Sequence, residues 1–205
     1  MHSSGELNRD MKINPAAFKT RRWFLQLWAG LLPAMAKPNE AGAAGASLRL
    51  PLVNPRIVVA KTRRLLTLYS ADKVVKTYRI ALGLSPVDDK IRAGDRRTPE
   101  GDFYVCIKNP RSKFYLSLGL SYPNQQHAER GLRDGLITRA QYNQISDAIN
   151  RKLQPPQYTS LGGEIFIHGN GSKSDWTWGC VALDDNDIRE LFDAVPVGTP
   201  VRIEH

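Results

Sequence analysis

The sequence predicts a mainly β fold, a β-sandwich or mixed-sheet domain with a few helical insertions. Apolar residues alternate with a period of two in the segments that follow residue 55, which is typical of half-buried strands. β-Branched and aromatic residues are concentrated in the same segments, and helical patterns are confined to two stretches. The chain has 205 residues, enough for one domain of ordinary size, and no internal repeat is visible in it.

Three strands open the predicted domain as a meander. The pairs Arg63-Arg64 and Ala71-Asp72 separate these strands as tight turns would. The meander occupies residues 57–60, 65–69 and 74–82, and further strands are predicted at residues 102–108, 114–118, 164–168 and 200–204.

The first helical stretch covers residues 124–153. It is polar and interrupted by Gly131 and Gly135, which favours two helices rather than one. Thr138 is a suitable N-cap, so the second helix is predicted to run from there to about Lys152.

The second helical stretch begins at Asp184, which can cap a helix that runs through Ala194 and is ended by Pro196. Acidic residues from Asp184 to Asp187 suit helix capping and the helix dipole better than metal binding. Together these elements predict one domain over residues 55–205.

The first 36 residues have the three parts of a cleavable export signal. A charged segment precedes an apolar run at residues 23–32, and the small residues Ala34 and Ala36 follow. A membrane-spanning helix needs roughly twenty apolar residues, so this run predicts no stable membrane anchor. Cleavage is expected after Ala36, and residues 37–54 are interpreted as a linker.

The segment from Thr20 to Leu25 contains Arg21-Arg22 and resembles a twin-arginine export signal. That resemblance implies the twin-arginine export machinery as a partner, and the periplasm or cell envelope as the destination. The alternative is an ordinary secretory signal that happens to carry two arginines. Met11 is an alternative start that leaves the signal intact.

The net charge of the chain indicates which class of partner is favoured. Lys and Arg (29) outnumber Asp and Glu (20), giving a net charge of +9, which suits an anionic partner. No block of five or more basic residues is present, so nucleic acid is not favoured. Because the chain stays basic without its signal and is expected outside the cytoplasm, a wall or envelope partner is predicted.

The two cysteines call for different explanations. Cys106 lies within a predicted strand, where a thiol behaves as a small core residue. Cys180 follows Gly179 where a loop enters a short apolar segment, a suitable place for a nucleophile. Amide N–H groups near Gly179 and Cys180 can bind the oxyanion of a tetrahedral intermediate.

A nucleophilic cysteine needs a proton acceptor, and four histidines are available. His2 and His205 are near the chain ends, and His127 is in a polar helical stretch. His168 ends an apolar strand twelve residues before the cysteine, so the two side chains can meet across the loop. The alternative is a structural strand-end histidine bound to a backbone carbonyl, with Cys180 buried.

Several ordered motifs resemble the L,D-transpeptidase (YkuD-like) family. Ile167-His168-Gly169 followed by Thr177-Trp178-Gly179-Cys180 is similar to its catalytic signature, and residues 97–103 match its Thr-Pro-x-Gly-x-Phe segment. Residues 117–124 and 175–177 resemble an envelope-located subgroup with a short His-to-Cys loop. The resemblance covers about residues 56–204, and it implies the YkuD-like version of the predicted fold.

This resemblance implies an L,D-transpeptidase that acts on peptidoglycan stem peptides through a cysteine thioester, in cell-wall cross-linking, remodelling and cell shape. Cys180 would be the nucleophile and His168 its base, with the Gly169 carbonyl orienting the imidazole and amides near Gly179 forming the oxyanion hole. No metal or organic cofactor is implied. The alternatives are hydrolysis by an L,D-carboxypeptidase or amidase, and a non-catalytic wall-binding module.

Two residues depart from the family pattern. Many members have His at the position of Trp178 and a polar residue at the position of Ala182. Candidate substrate contacts are Tyr122, Trp176, Thr177 and Trp178, each with packing as the alternative. Four cations are possible partners of stem carboxylates, with a solvated basic face as the alternative: Arg79, Arg96, Arg97 and Lys113.

Overall fold

The computed structural model describes residue 48 and residues 50–205. The predicted export signal and most of the predicted linker lie outside these described residues. Within the described part, no helix is both long and apolar enough to span a membrane.

The centre of the fold is one eight-stranded mixed sheet, which confirms the mainly β prediction. Its strand order is β3-β2-β1-β8-β4-β5-β6-β7. The strands are β1 (Arg56–Ala60), β2 (Leu65–Ser70), β3 (Lys73–Arg79), β4 (Gly101–Ser112), β5 (Tyr115–Leu120), β6 (Phe166–His168), β7 (Val181–Ala182) and β8 (Pro200–Glu204).

The predicted meander is present, because β1, β2 and β3 pair antiparallel in order. Ala71 and Asp72 both have positive φ, 47° and 62°, as a two-residue hairpin turn requires. The predicted third strand was too long: β3 ends at Arg79. Ala81 beyond it forms an isolated bridge to Ala182, because that stretch crosses towards β7.

The two ends of the domain meet in the middle of the sheet. β8 pairs parallel with β1, where Ile57 faces Val201, and antiparallel with β4, where Phe103 faces Val201. The short strand β7 was not predicted, because two residues cannot show periodicity. It pairs parallel with β6.

Alternate strand residues enter the core, as period two dictates. Ile57 and Val59 of β1, and Leu66 and Leu68 of β2, are at most 1% exposed. Burying side chains of this size contributes about 1.5–3 kcal/mol each. The same core includes Ile167 of β6 and Val181 of β7, the two strands whose ends carry the candidate site.

The three helices confirm the helical predictions. They are α1 (Gln125–Arg133), α2 (Arg139–Asn150) and α3 (Asp185–Ala194). Thr138 caps α2 in a reciprocal capping box with Gln141. α1 and α2 enclose a small second core around Ala128 and Ile145, while Ile188 and Leu191 attach α3 to the main core.

Candidate active site

Two paired strands bring His168 and Cys180 into one cleft. His168 is the last residue of β6, and Cys180 immediately precedes β7. Since His168 is the register partner of Ala182, Cys180 stands two residues from it along the neighbouring strand. Both residues line a cleft of about 920 Å³.

The orientation of the His168 ring follows from one hydrogen bond. Its Nδ1 lies 2.7 Å from the carbonyl oxygen of Gly169. Because a carbonyl only accepts, Nδ1 carries the hydrogen and Nε2 keeps the lone pair. Burial lowers the pKa of His168 below its ordinary 6.5, although the bond to Gly169 opposes this shift. The imidazole is therefore neutral at pH 7 and has a free acceptor nitrogen.

Aromatic rings hold the imidazole on two sides. Phe114 stacks on it, with ring centroids 4.5 Å apart and planes 25° apart. Trp176 meets it edge-on at 5.5 Å, and the Trp176 Nε1–H donates to the Gly171 carbonyl oxygen at 3.1 Å. Sequence reasoning missed the Phe114 contact, since nothing in a strand pattern tells which ring faces a histidine.

The thiol of Cys180 is held by the backbone of Glu164 and Phe166, in the segment that leads to His168. Sγ donates to the Glu164 carbonyl oxygen and accepts from the Phe166 amide, both at 3.4 Å. Burial raises the pKa of Cys180 to about 11. No hydrogen bond joins Sγ to the imidazole among the described residues. The resting pair is therefore a neutral thiol and a neutral imidazole that line the same cleft.

Two threonines fix the backbone at Cys180. Thr177 Oγ1 donates to the Cys180 carbonyl oxygen at 2.8 Å and accepts from the Gly179 amide at 3.2 Å. Thr98 Oγ1 lies 3.4 Å from the same carbonyl and accepts from the Gly83 amide. The Gly179 amide is thus occupied, whereas the Cys180 amide donates to none of the described residues.

Gly179 is required by its surroundings. Its φ is +127°, and a Cβ there would lie 2.7 Å from the Arg97 carbonyl oxygen. A side chain at this position would push the segment before the nucleophile away from the strand-entry segment at residues 97–98.

An ion pair anchors the loop that leads to Cys180. Asp175 accepts from the Arg64 guanidinium, with Nη2 2.6 Å from Oδ2, and its Oδ1 accepts from the Leu82 amide at 2.8 Å. Arg64 lies in the β1–β2 turn, 111 residues away in the chain. Sequence reasoning missed this role of Arg64, which was interpreted only as a turn residue.

Carboxylates at the start of α3 hold the other end of the loop. Asp185 Oδ1 accepts from the Asn170 amide at 2.8 Å, and Asp184 Oδ1 accepts from the amide and hydroxyl of Ser172 at 2.9 and 3.1 Å. Asp184 is the N-cap residue as predicted, but its side chain makes no cap hydrogen bond. Its carboxylate serves the loop instead.

Three of the four predicted substrate contacts line the cleft: Trp176, Thr177 and Trp178. The Trp178 side chain is 67% exposed, and the Arg96 guanidinium lies 4.9 Å from its ring centre. Tyr122 corrects the prediction: it is fully buried outside the cleft lining. Its ring packs in the main core while its hydroxyl donates to the Leu161 carbonyl oxygen at 2.9 Å.

The other residues singled out in the sequence differ in whether they line the cleft. Of the four predicted cations, only Lys113 lines the cleft; Arg79, Arg96 and Arg97 do not. Ala182 is fully buried and its amide donates to the Ala81 carbonyl oxygen. Cys106 is half-buried rather than fully in the core, and its Sγ donates to the Gly119 carbonyl oxygen at 3.3 Å.

Comparison with known proteins identifies related chains. The family model of the L,D-transpeptidase catalytic domain, YkuD, matches residues 54–203. A Bacillus licheniformis protein named as an L,D-transpeptidase, YkuD, is 28% identical over 172 residues, which cover 78% of this chain and 76% of that protein.

Two solved structures are similar to this chain. A mutant of the helical cell shape determining protein Pgp2 from Campylobacter jejuni is 25% identical with a TM-score of 0.52, covering 81% of this chain and 52% of that one. An L,D-transpeptidase from Xylanimonas cellulosilytica is 18% identical with a TM-score of 0.45, covering 77% and 63%. The chain thus spans between half and two thirds of these two solved chains.

Proposed function

The chain belongs to the L,D-transpeptidase catalytic domain (YkuD) family, and from this premise we propose that it is a cysteine-dependent transpeptidase acting on peptidoglycan stem peptides. The observation that carries the residue assignment is the cleft shared by Cys180 and His168 on the paired strands β6 and β7. A wall-binding module would have no use for a thiol beside a neutral, oriented imidazole.

The first step is acylation. The Cys180 proton passes to Nε2 of His168 as Sγ attacks the carbonyl carbon of the L-centre of a diamino acid in the donor stem. The C–N bond to the terminal D-residue then breaks, and the departing nitrogen takes the proton from His168. A thioester on Cys180 remains. The Cys180 amide, which has no partner among the described residues, is the donor we assign to the oxyanion.

Nucleophile and base start from neutral forms. A thiol with a pKa near 11 is protonated at pH 7, so attack requires a base rather than a standing thiolate. The lowered pKa of His168 keeps Nε2 unprotonated at the same pH. General-base transfer within the cleft is therefore the route that these two shifts support.

The second step is aminolysis of the thioester. An acceptor amine attacks the thioester carbon and loses a proton to Nε2 of His168, which returns it to the Cys180 sulfur. Transfer exceeds hydrolysis only where water is kept from the thioester while an amine is held. The rings of Phe114, Trp176 and Trp178 in the cleft lining support transfer by narrowing the approach of water.

Product analysis tests this function. The protein without residues 1–36 is incubated with tetrapeptide muropeptides, with and without an added amine acceptor, and the products are resolved by mass. Cross-linked or amine-exchanged species are the expected result. Tripeptides alone at high acceptor concentration would assign the protein to the L,D-carboxypeptidases, and released stems would indicate an amidase.

Location and domain bounds follow the same proposal. Peptidoglycan lies outside the cytoplasm, so the enzyme acts in the cell envelope, and we assign it to the periplasm after export by the twin-arginine machinery. Residues 1–36 are then the cleaved signal, residues 37–54 a linker and residues 55–205 the catalytic domain. The support is the segment from Thr20 to Leu25 in the sequence.

A further inference from the structure

The cleft is electrically asymmetric. On one flank, the end of β4 and the turn that follows it contribute Arg111 and Lys113 to the lining. Both residues are exposed, and neither side chain has a hydrogen bond or ion pair with another described residue. Lys90, a third cation of the lining, is instead buried and paired with Asp95 at 2.7 Å. Arg111 at the end of β4 and Lys113 in the turn are therefore the two cations available to a ligand.

The turn between β4 and β5 contacts His168 and the residue after it. Lys113 and Phe114 are the two residues between Ser112 and Tyr115, which face each other across the β4–β5 hairpin. The Phe114 ring stacks on His168, and the Phe114 carbonyl oxygen accepts from the Gly169 amide at 3.0 Å. The backbone that carries the two cations is thus held beside His168 by a hydrogen bond as well as by a ring contact.

The chemistry of acylation fixes where the leaving residue lies. Its nitrogen receives the proton held by His168, so that nitrogen is within hydrogen-bond reach of Nε2, about 3 Å. A free terminal carboxylate is joined to this nitrogen through one Cα, which places its oxygens roughly 3–4 Å further on. The carboxylate consequently lies beside the imidazole.

The opposite flank is unsuitable for a carboxylate. Glu164 lines the cleft on the side of the thiol, and its carbonyl oxygen accepts from Sγ of Cys180. Its own carboxylate is an acceptor for the Tyr158 hydroxyl at 3.3 Å. A second carboxylate there would meet the charge of Glu164, and the cation on that side, Lys90, is already paired with Asp95. The flank of Arg111 and Lys113 instead offers two cations without partners in the described structure.

We propose that Arg111 and Lys113 form a subsite for the terminal carboxylate of the donor stem. By binding this carboxylate, the two cations hold the leaving residue with its nitrogen at Nε2 of His168. This inference rests on the proposed function, because it uses the direction in which the leaving group departs from His168. Arg111 and Lys113 are specificity residues, since they touch the leaving residue rather than the reacting carbon.

The test crosses two donors with four variants. The donors are a tetrapeptide stem with a free terminal carboxylate and the same stem with a terminal amide. The variants are Arg111→Gln and Lys113→Gln, with Arg79→Gln and Lys73→Gln as matched controls, since both control residues are exposed and outside the cleft lining. Thioester formation on Cys180 is followed by intact-protein mass to give kcat/KM of acylation.

Wild-type protein is expected to prefer the free acid by roughly tenfold or more, and the preference should weaken as salt is raised. Arg111→Gln and Lys113→Gln should each lower kcat/KM for the free acid, by up to about the tenfold of the wild-type preference. Neither variant should change kcat/KM for the amide. The two control variants should behave as wild type with both donors.

Two results would overturn the subsite. One is a wild-type enzyme that acylates equally well with acid and amide. The other is an equal loss on both donors in the cleft variants, which would mark a structural role for the turn. If wild-type protein forms no thioester with either donor, then the proposed function itself fails, and the subsite with it.

Discussion

The Phe114 ring stacks on the His168 imidazole at a centroid separation of 4.5 Å. This contact covers one face of the base, and burial is the main reason why the pKa of His168 is lowered. The same residue contributes its carbonyl oxygen to the Gly169 amide. Phe114 therefore contributes both to the burial that lowers the pKa of His168 and to the placement of its ring.

The first prediction concerns pH. Because His168 is active when unprotonated and its pKa is lowered, the acid limb of kcat/KM should have its midpoint below pH 6.5. Phe114→Ala should move that midpoint upward, since the imidazole becomes more solvated, and lower kcat about tenfold through lost orientation. The control is Phe114→Leu, which keeps apolar cover and should keep the low midpoint. A midpoint that does not move in Phe114→Ala would contradict the assigned role.

The second prediction distinguishes the two cysteines. Cys180→Ala should abolish thioester formation and lower turnover on the order of 10⁴-fold or more, because the covalent route is lost. Cys106→Ala is the matched control and should keep most activity, as its Sγ faces Gly119 and is outside the cleft lining. Intact-protein mass after incubation with donor stem measures both. Turnover that survives in Cys180→Ala would refute the nucleophile.

A third prediction concerns the anchor between Asp175 and Arg64. Asp175→Asn keeps an acceptor for the Leu82 amide but removes the charge partner of the guanidinium, so the loop before Cys180 should shift. We expect kcat to fall about 10- to 100-fold, with KM changed little. Arg64→Lys should retain part of the activity that Arg64→Gln loses.

The measurement is a double-mutant cycle with both turnover and thermal unfolding. If Asp175 acts by positioning, the double variant Asp175→Asn with Arg64→Gln should have a kcat no lower than that of the more impaired single variant. Equal losses of stability and activity in all variants would indicate a structural role alone.

The fourth prediction uses two glycines with positive φ. Gly179 and Gly198 have φ of +127° and +92°, but only at Gly179 would a Cβ meet backbone, 2.7 Å from Arg97 O; at Gly198 nothing lies within 4 Å. Gly198→Ala should therefore cost about 1–2 kcal/mol of stability and leave acylation intact. Gly179→Ala should cost about 1–3 kcal/mol more and abolish acylation. Denaturant unfolding and the thioester assay report the two quantities, and equal effects at both sites would refute the argument.

The fifth prediction concerns export. Replacing Arg21 and Arg22 with lysine should leave unprocessed precursor in the cytoplasm, because the twin-arginine signal depends on both guanidinium groups. Fractionation and immunoblotting measure this, with Arg9→Lys as a matched change outside the motif. Unchanged export in the paired variant, or in cells without the twin-arginine translocase, would leave an ordinary secretory signal as the explanation.

Local rules explain what could be predicted from the sequence. Period-two alternation located β1 and β2, and Thr138 as an N-cap residue marked the start of α2. Both signals depend only on residues that are close in the chain. The His-Gly and Gly-Cys motifs pointed to His168 and Cys180 as the candidate reacting residues, because the first ends a short apolar segment and the second immediately precedes one.

Contacts between distant segments decided the rest, because period and spacing carry no information about which elements become neighbours. Only the folded chain pairs β8 with β1 and joins Arg64 to Asp175 across 111 residues. An aromatic residue in a strand can face either the cleft or the core, so sequence placed Tyr122 in the cleft while packing put it in the core. Likewise the sequence determined that a thiol and an imidazole are present. The fold determined that both are neutral, because burial by residues from other elements sets their pKa values.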